Sequence, residues 1–373
     1  MEFLLEGIKN ITWQQAVMYV VGIILIILAI KKNLEPSLLL PMGFGAIIVN
    51  LPLSGVINQG SGENEVVGAI QWLFETGIGA SEILPLLLFI GIGAMIDFGP
   101  LLSNPKLIFI GAAAQFGIFF TMVVASACGF DIHDAASIGI IGAADGPTSI
   151  LVSQVLKSKY VGAIAVAAYC YMALVPMIQP IVIKSLTTKK ERRIKMEYNP
   201  KSVSKATKII FPIVVTIIAG LIAPASVSLV GFLMFGNLIR ECGVLDSLSN
   251  TASNILSNLI TLLLGITISF SMKAEEFVTP ETLMIIGLGL VAFVFDTFGG
   301  VMFVKFLNLF SKKKINPMVG AAGISAFPMA SRVVQKLGVQ EDPTNHLLMH
   351  AASANVAGQI ASVVAGGVIL GLL

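Results

Sequence analysis

Long apolar stretches, each followed by a short polar or basic segment, recur along nearly the whole chain. A helix needs about 20 apolar residues to cross the hydrocarbon core of a bilayer, and ten stretches approach or reach that length. They predict ten transmembrane helices, at 16–30, 37–51, 82–97, 106–127, 160–183, 209–223, 226–239, 255–271, 282–303 and 345–371.

Two further segments, 134–157 and 316–337, are rich in small residues, and each is broken by a proline. The two match each other, because the sequence around Pro147 lines up with the sequence around Pro328, and similar matches occur upstream of both. The pattern predicts an internal duplication. Since each segment is too irregular for a plain span, we expect a broken hairpin that enters the membrane and returns to the same face.

The basic residues favour an inverted arrangement of the two repeats. If both broken segments are re-entrant, all the main basic groups fall on one side of the membrane, which is then the cytoplasmic side. These groups are Lys31-Lys32, the cluster at 189–195 and Lys312 to Lys314. The alternative, in which the first segment spans, puts two of these groups on opposite sides.

The predicted organisation is an all-α integral membrane protein of about ten transmembrane helices plus two re-entrant broken hairpins. Residues 16–183 form the first repeat and 209–373 the second, joined by a basic cytoplasmic loop at 184–208. Residues 1–15 lack the basic start of a signal peptide and predict an interfacial helix. Segment 65–81 is apolar enough to add another short membrane element.

Composition agrees with this class of protein. Hydrophobic residues make up 56% of the 373 residues and charged residues only 12%, about half the charged share of soluble domains. A net charge of +2 gives no case for nucleic acid binding. The three cysteines are not spaced as metal ligands, so they predict no transition-metal site.

Asp145 is the main candidate for function, because it lies in a long apolar run directly before Gly146 and Pro147. An unpaired carboxylate at membrane depth costs at least ~3 kcal/mol, so such a residue usually serves an ion or a proton. Two hairpins that enter from opposite faces can bring their unwound tips together, where carbonyls and helix ends coordinate ions. Hard oxygen ligands at the tips favour Na+, with a proton as competitor. The candidate ligands are Asp145, Thr148 and Ser149 in the first tip and Asn316, Ser325, Ser331 and Arg332 in the second.

Ordinary structural roles remain open for these residues. Asp145 can cap the helix that begins at Pro147, and Asn316 can form a turn before a proline. Ser325 can be a small packing residue, and Arg332 can extend its side chain to the cytoplasmic interface. Other polar residues in apolar segments can serve packing or interhelical hydrogen bonds, namely Tyr171, Asn355, Gln359 and the secondary acidic candidate Asp296.

Several long motifs resemble the beta subunit of the sodium-pumping biotin-dependent decarboxylases. They are the string from Ile141 to Ser149, Tyr171 in the following span, the string from Asn316 to Arg332, the string from Met349 to Gly358, and the opening from Ala29 to Gly45. The resemblance covers essentially the whole chain. It includes the oxaloacetate, methylmalonyl-CoA and glutaconyl-CoA types without choosing the acyl substrate.

The resemblance implies a membrane subunit that decarboxylates carboxybiotin and moves Na+ outward while it consumes a proton. It implies Asp145, Tyr171 and Arg332 as catalytic residues, with Arg332 and Ser325 binding carboxybiotin. The implied Na+ ligands are Asp145, Asn316, Gly320, Ser325 and Asn355.

The implied partners are a biotin carrier subunit, a carboxyltransferase alpha subunit, a small gamma- or delta-type membrane subunit and further copies of this chain, in the lipid of a bacterial inner membrane. Biotin must sit on another chain, because no lysine here has the Ala-Met-Lys-Met setting of a carrier. Two other functions fit the residues alone: a sodium- or proton-coupled carrier of an organic anion, and a structural anchor.

Overall fold

A computed structural model describes residues 7, 9–32, 35–59, 66–80, 82–197 and 203–373. Within these residues the fold is helical, and a helix lies at each of the ten predicted apolar stretches. Residues 1–6 and 8 of the predicted interfacial helix at 1–15 lie outside the described residues, so that prediction stays open.

The described residues of the first half form a series of long and short helices. In chain order they are α1 (Trp13–Lys32), α2 (Pro36–Val49), α3 (Ala69–Phe74), α4 (Ile83–Met95), α5 (Gly99–Ser103), α6 (Ile108–Ala114), α7 (Phe116–Ala127), α8 (Ile132–Gly139), α9 (Gly146–Val155), α10 (Val161–Leu186) and α11 (Lys189–Arg192). A wider, π-helical turn extends α3 through Glu75–Ala80.

The second half repeats this order of long and short helices. Its helices are α12 (Lys205–Ile222), α13 (Val227–Glu241), α14 (Asp246–Asn250), α15 (Ser257–Ile268), α16 (Ala274–Phe277), α17 (Pro280–Phe310), α18 (Met318–Ala321), α19 (Met329–Glu341) and α20 (Leu348–Leu372). Continuous turns join α14 to α15, so that the helical stretch Asp246–Met272 starts earlier than the predicted 255–271.

Seven helical stretches among the described residues are long and apolar enough to cross a membrane. The chain is therefore a multi-pass membrane protein. The seven are Trp13–Lys31, Pro105–Ala127, Val161–Leu186, Lys205–Ile222, Asp246–Met272, Pro280–Phe310 and Leu348–Leu372. The other predicted spans fold as shorter helices, α2, α4 and α13.

Both broken segments fold back so that their two ends meet. In the first, the carboxylate of Asp134 accepts hydrogen bonds from the Ser158 hydroxyl at 2.7 Å and from the backbone N–H of Lys159 at 3.2 Å. In the second, the side-chain amides of Asn316 and Asn345 both donate to the carbonyl oxygen of Arg192, at 2.8 and 3.1 Å. Each segment therefore starts and finishes at one place.

The ends of the two segments lie at opposite ends of α10. Ser158 stands just before this helix, and Arg192 stands just beyond it. Since α10 has 26 residues, it separates the two points by roughly 39 Å at 1.5 Å per residue. The bases of the two segments are therefore far apart.

An ion-pair cluster fixes the base of the second segment. The side chain of Arg192 pairs with Glu341 at 2.7 Å and is buried, while Lys195 pairs with Asp342 at 3.3 Å. Hydrogen bonds from the hydroxyl and backbone N–H of Thr344, aided by Lys195, lower the pKa of Asp342 to about 2. Asp342 therefore stays charged at neutral pH, and the loop after α10 is tied to α19.

Helices of the two halves pack in reciprocal pairs. The pair α4 and α13 has a counterpart in α15 and α2, and the pair α10 and α17 has one in α20 and α6. The backbones of the first pair are in close contact, which only glycine allows. A Cβ added to Gly93 would lie 1.9 Å from the carbonyl oxygen of Leu233, and a Cβ added to Gly236 would lie 2.1 Å from the carbonyl oxygen of Ile90. This exchange of partners is the packing expected of a duplicated chain.

Candidate functional site

The first segment loses its helical hydrogen bonding at Ala144 and Asp145. Ala144 has a left-handed backbone with φ of 51°, and Asp145 is extended, with φ of −130°. Helix α9 then begins at Gly146, with Pro147 in its first turn, where a missing N–H costs no hydrogen bond. The break therefore follows from the local sequence and places Asp145 at the start of a helix.

The second segment is unwound over a longer stretch, between α18 and α19. Its backbone touches the first break directly, because the N–H of Ser325 donates to the carbonyl oxygen of Ala143 at 3.1 Å. The hydroxyl of Ser325 donates to the carbonyl oxygen of Gly358 in α20 at 3.0 Å. The two breaks and α20 thus enclose one small region.

Asp145 faces this region and is only 3% exposed. The Thr148 hydroxyl donates to its Oδ2 at 2.6 Å. Ser362 of α20 lies near the carboxylate, and its hydroxyl donates to the carbonyl oxygen of Gln359 at 3.1 Å. Among the described residues, none of the ion pairs includes Asp145. Neutral hydroxyls alone do not offset the cost of a buried negative charge, so the site calls for a cation or a proton.

Four side-chain amides hold the unwound second tip. Gln115, Gln179, Asn355 and Gln359 donate to the carbonyl oxygens of Gly323, Ala321, Ile324 and Ser325 respectively. A carbonyl oxygen can only accept a hydrogen bond, so each amide must turn its NH2 group toward the second tip and its oxygen away from that tip. The four amide oxygens are buried and have no partner among the described residues.

Two of these oxygens belong to the face of α20 that carries Ser362. Gln359 precedes Ser362 by three residues and Asn355 precedes Gln359 by four, spacings that put side chains on one helical face. Asp145 and Thr148 add a carboxylate and a hydroxyl to the polar groups of this region. The described residues contain no cluster of three or more His, Cys, Asp or Glu side chains that could hold a metal ion.

The predicted Na+ ligands fall into three places. Asp145, Ser325 and Asn355 come together at the two tips. Asn316 is fully buried at the base of the second segment, where its Oδ1 accepts the N–H of Met318 at 3.0 Å. Gly320 packs against α17. A direct Na+ contact of Asn316 or Gly320 stays a prediction.

Tyr171 lies on the side of α10 that faces α17. Its hydroxyl donates to the carbonyl oxygen of Ile286. A Cβ added to Gly289 would lie 2.8 Å from the Tyr171 ring and 2.9 Å from the side chain of Ile141. Tyr171 therefore packs between α17 and the first broken segment.

Arg332 is exposed in a groove of about 390 Å³ between α10 and α19. Lys184 and Lys336 also line the groove, together with apolar residues such as Pro176 and Pro180. Burial raises the pKa of Glu35, while the charge of Arg332 opposes that rise, so the two side chains interact electrostatically. The groove thus combines positive charge with an apolar wall.

Asp296 is fully buried where α17 crosses α7. Its Oδ1 accepts the backbone N–H of Ile118 at 3.1 Å, close to the interruption of the helix at Gln115. This contact gives Asp296 a structural task, because the start of α7 needs an acceptor for its free N–H groups.

Sequence reasoning missed Ser362, Gln115, Gln179 and Tyr169, and it gave Gln359 no site role. A polar side chain inside an apolar span was the available signal, since such side chains seldom face lipid. That signal does not tell which of them face the same point.

The tight packing of Gly320 leads to a stability prediction. A Cβ at this position would lie 2.1 Å from the carbonyl oxygen of Gly300, a backbone atom that cannot yield alone. We expect Gly320→Ala to destabilise the protein by ~1 to 3 kcal/mol, seen as a lower unfolding temperature in detergent. Gly287→Ala is the matched control in α17, because nothing lies within 4 Å of its added Cβ. Equal unfolding temperatures for the two variants would contradict the packing assigned to Gly320.

The fold and site define a multi-pass helical membrane protein with a buried acid between two broken segments. A family described as the Na+-transporting oxaloacetate decarboxylase beta subunit matches residues 14–373. The chain belongs to this family. The resemblance of its motifs is thereby confirmed.

Individual relatives are named as beta subunits of decarboxylases with different substrates. The methylmalonyl-CoA decarboxylase subunit beta of Propionigenium modestum is 50% identical over 98% of this chain and 96% of its own length. The glutaconyl-CoA decarboxylase subunit beta of Acidaminococcus fermentans is 48% identical over 99% and 96%. The oxaloacetate decarboxylase beta chain of Klebsiella pneumoniae is 43% identical over 98% and 96%.

These matches confirm the predicted function at the level of a membrane subunit of a Na+-transporting decarboxylase. The alternative of an organic-anion carrier is not favoured, since the family and the relatives named above are decarboxylase subunits. The relatives differ in acyl substrate at similar identity, so identity alone does not select one for this chain.

Proposed function

We propose that this chain decarboxylates carboxybiotin, which a partner subunit delivers, and uses the free energy to move Na+ outward through the site at Asp145. The observation that carries the proposal is the buried Asp145 carboxylate, which has a hydroxyl partner but no ion-pair partner, between two broken segments that touch. The region fits a small hard cation, because the side-chain atoms with free lone pairs near the two tips are hydroxyl, carboxylate and amide oxygens.

The proposed Na+ ligands are Asp145, Thr148, Ser325, Asn355 and Gln359. The unpartnered oxygens of Asn355 and Gln359 support this choice, because a buried oxygen without a partner costs free energy that a cation would recover. Ser362 of α20 lies near the carboxylate, with its hydroxyl donating to the carbonyl oxygen of Gln359. Asn316 and Gly320 shape the second tip from its base and from the side facing α17.

The proposed topology has ten crossings and two re-entrant segments in inverted repeats. Three observations support it: the ends of each segment meet, the two pairs of ends lie at opposite ends of α10, and the helices of the two halves exchange partners. The basic loop after α10 then faces the cytoplasm. The groove at Arg332 lies on that side, next to Lys184 near the end of α10.

Carboxybiotin would bind in the groove at Arg332. A guanidinium can hold a carboxylate through two parallel hydrogen bonds, and the apolar wall lowers the polarity around the reacting group. Breaking the bond between the carboxylate carbon and the ureido nitrogen releases CO2 and leaves the electron pair on the ureido group. That nitrogen then takes up one proton, which accounts for the proton consumed. The predicted contact of Ser325 with carboxybiotin remains open, since Ser325 lies at the tip.

Coupling would arise from competition at Asp145. The carboxylate can hold Na+ or a proton, so the arrival of Na+ from the cytoplasm releases a proton for the decarboxylation. Tyr171, beside the first broken segment, is the proposed relay between the tip and the groove. Outward movement of each charge costs roughly 2.3 kcal/mol per 100 mV, so the site must open to one side at a time.

The chain would work as part of a complex in a bacterial inner membrane. The relatives are themselves named as subunits. We propose a biotin carrier, a carboxyltransferase alpha subunit, a small gamma- or delta-type membrane subunit and further copies of this chain as its partners.

The test is transport of radioactive sodium in vesicles that contain the complex with its cytoplasmic face outward. Carboxylated biotin carrier should drive Na+ into these vesicles, and CO2 release should rise with external Na+ concentration. Uncarboxylated carrier is the control and should move no Na+. CO2 release at one rate with and without Na+ would show that the two processes are not coupled in this chain.

A further inference from the structure

Tyr169 lies beside Asp145 with a hydroxyl group that nothing in the structure explains. The side chain is 1% exposed, and its hydroxyl oxygen has no hydrogen-bond partner among the described residues. The ring lies against Gly146, since a Cβ added there would be 2.2 Å from ring carbons Cε1 and Cζ. The phenol also interacts electrostatically with the Asp145 carboxylate.

A buried hydroxyl without a partner is a cost that Phe would avoid. Leaving such a group unsatisfied in an apolar interior is unfavourable, and native proteins contain few of them. The ring already fills its space against Gly146, so packing alone requires no oxygen. The lone pairs of the hydroxyl oxygen are therefore available for a bound ligand, which they would not be if a protein group already occupied them.

Tyr169 and Tyr171 have different surroundings although they are two residues apart. Two positions on a helix differ in direction by about 200°. Tyr171 packs with Ile141 and residues of α17, and its hydroxyl is engaged with Ile286. Tyr169 belongs to a different hydrophobic cluster, which includes Ile150 of α9 and Ile260 of α15. The role given to Tyr171 therefore does not extend to Tyr169.

We propose that the phenol oxygen of Tyr169 is a further ligand of the cation at Asp145. This inference rests on the proposed Na+ site and adds to it a ligand from α10. The oxygen is neutral, so it adds coordination without adding charge. Gly146 is the residue that lets the ring come this close, because any side chain there would meet the ring.

The test compares Na+ binding by wild-type protein and Tyr169→Phe, each full-length and purified with its partner subunits. Binding is measured as the rise in unfolding temperature on titration with NaCl, and titration with KCl is the control. We expect Tyr169→Phe to need roughly tenfold more Na+ for half the rise, a change that corresponds to about 1.4 kcal/mol. Without Na+ the variant should unfold at the wild-type temperature or above it, since an unsatisfied hydroxyl has been removed. Tyr19→Phe is the matched control; its hydroxyl donates to the carbonyl oxygen of Asn50 at 2.9 Å.

The outcomes separate this inference from the proposed function. An unchanged Na+ dependence in Tyr169→Phe, with the rise abolished in Asp145→Asn, overturns the role of Tyr169 and leaves the Asp145 site in place. A rise that persists in Asp145→Asn overturns the proposed site itself. If Tyr169→Phe does not fold, fluorine NMR of wild-type protein containing 3-fluorotyrosine takes its place. The Tyr169 resonance is identified as the one that remains when each of the other tyrosines is replaced by Phe. Na+ should shift this resonance, and the lack of such a shift overturns the inference.

Discussion

Asp145→Asn is expected to abolish Na+ transport and to slow CO2 release about 100-fold or more, equivalent to at least ~2.7 kcal/mol. Asparagine has nearly the same shape and can still accept the hydrogen bond from Thr148, which donates at 2.6 Å in the native protein. It cannot carry the negative charge that binds Na+ or the proton that the reaction consumes. The measurements are sodium uptake into vesicles and CO2 release from carboxylated carrier.

The matched control is Asp131→Asn, which lies just before the same segment and is exposed to solvent. Asp131 caps α8 by accepting the N–H of His133 at 3.0 Å, a task that asparagine performs equally well. Both activities should stay within about twofold of wild type. If Asp145→Asn resembled this control, the chain would be an anchor for other subunits, and the coupling at Asp145 would be refuted.

Arg332→Ala is expected to lower CO2 release roughly 10- to 150-fold, the range for loss of a hydrogen bond to a charged group at ~1.5 to 3 kcal/mol. The loss should appear as a higher KM for carboxylated carrier. Arg332→Lys should recover part of it, because lysine keeps the charge but loses the two parallel donors. Na+ binding should remain, since Arg332 lies in the groove and not at the tips.

Lys336→Ala supplies the control within the same groove. It removes one positive charge from the next turn of α19 and leaves the guanidinium in place. A change below about threefold is expected, because exposed charges contribute little individually. If both variants lose activity equally, the groove acts through its overall charge, and Arg332 has no specific contact with the carboxylate.

The sequence predicted the helices well because a bilayer imposes a simple rule of length and apolarity. A helix lies at each of the ten apolar stretches, and the helices are interrupted within both segments that were predicted to be broken. The lengths were predicted less well. Helix α17 runs through 31 residues where 282–303 was expected, since the end of an apolar run does not oblige a helix to stop. At 65–81, helix α3 and its extension lie within the described residues, and their insertion stays a prediction.

The candidate site was predictable only in part. Asp145 could be found because a charge in an apolar run next to glycine and proline is rare. The amide clamp could not be found in the same way, because Gln115, Gln179 and Gln359 come from three different helices and share no motif. Tyr169 and Tyr171 are equally apolar neighbours in the sequence, and only packing shows that the hydroxyl of Tyr169 is the one left without a partner.

The residues alone place the chain in a membrane, predict a duplication, and mark Asp145 as an acid that interrupts an apolar run. These features follow from local composition and from repeated order, which need no knowledge of distant contacts. The tertiary structure alone decided which oxygen atoms surround that acid and which polar residues serve the backbone. Which helix faces meet depends on how the helices cross and how closely their backbones approach, as at Gly320 and Gly300. Both depend on residues far apart in the chain.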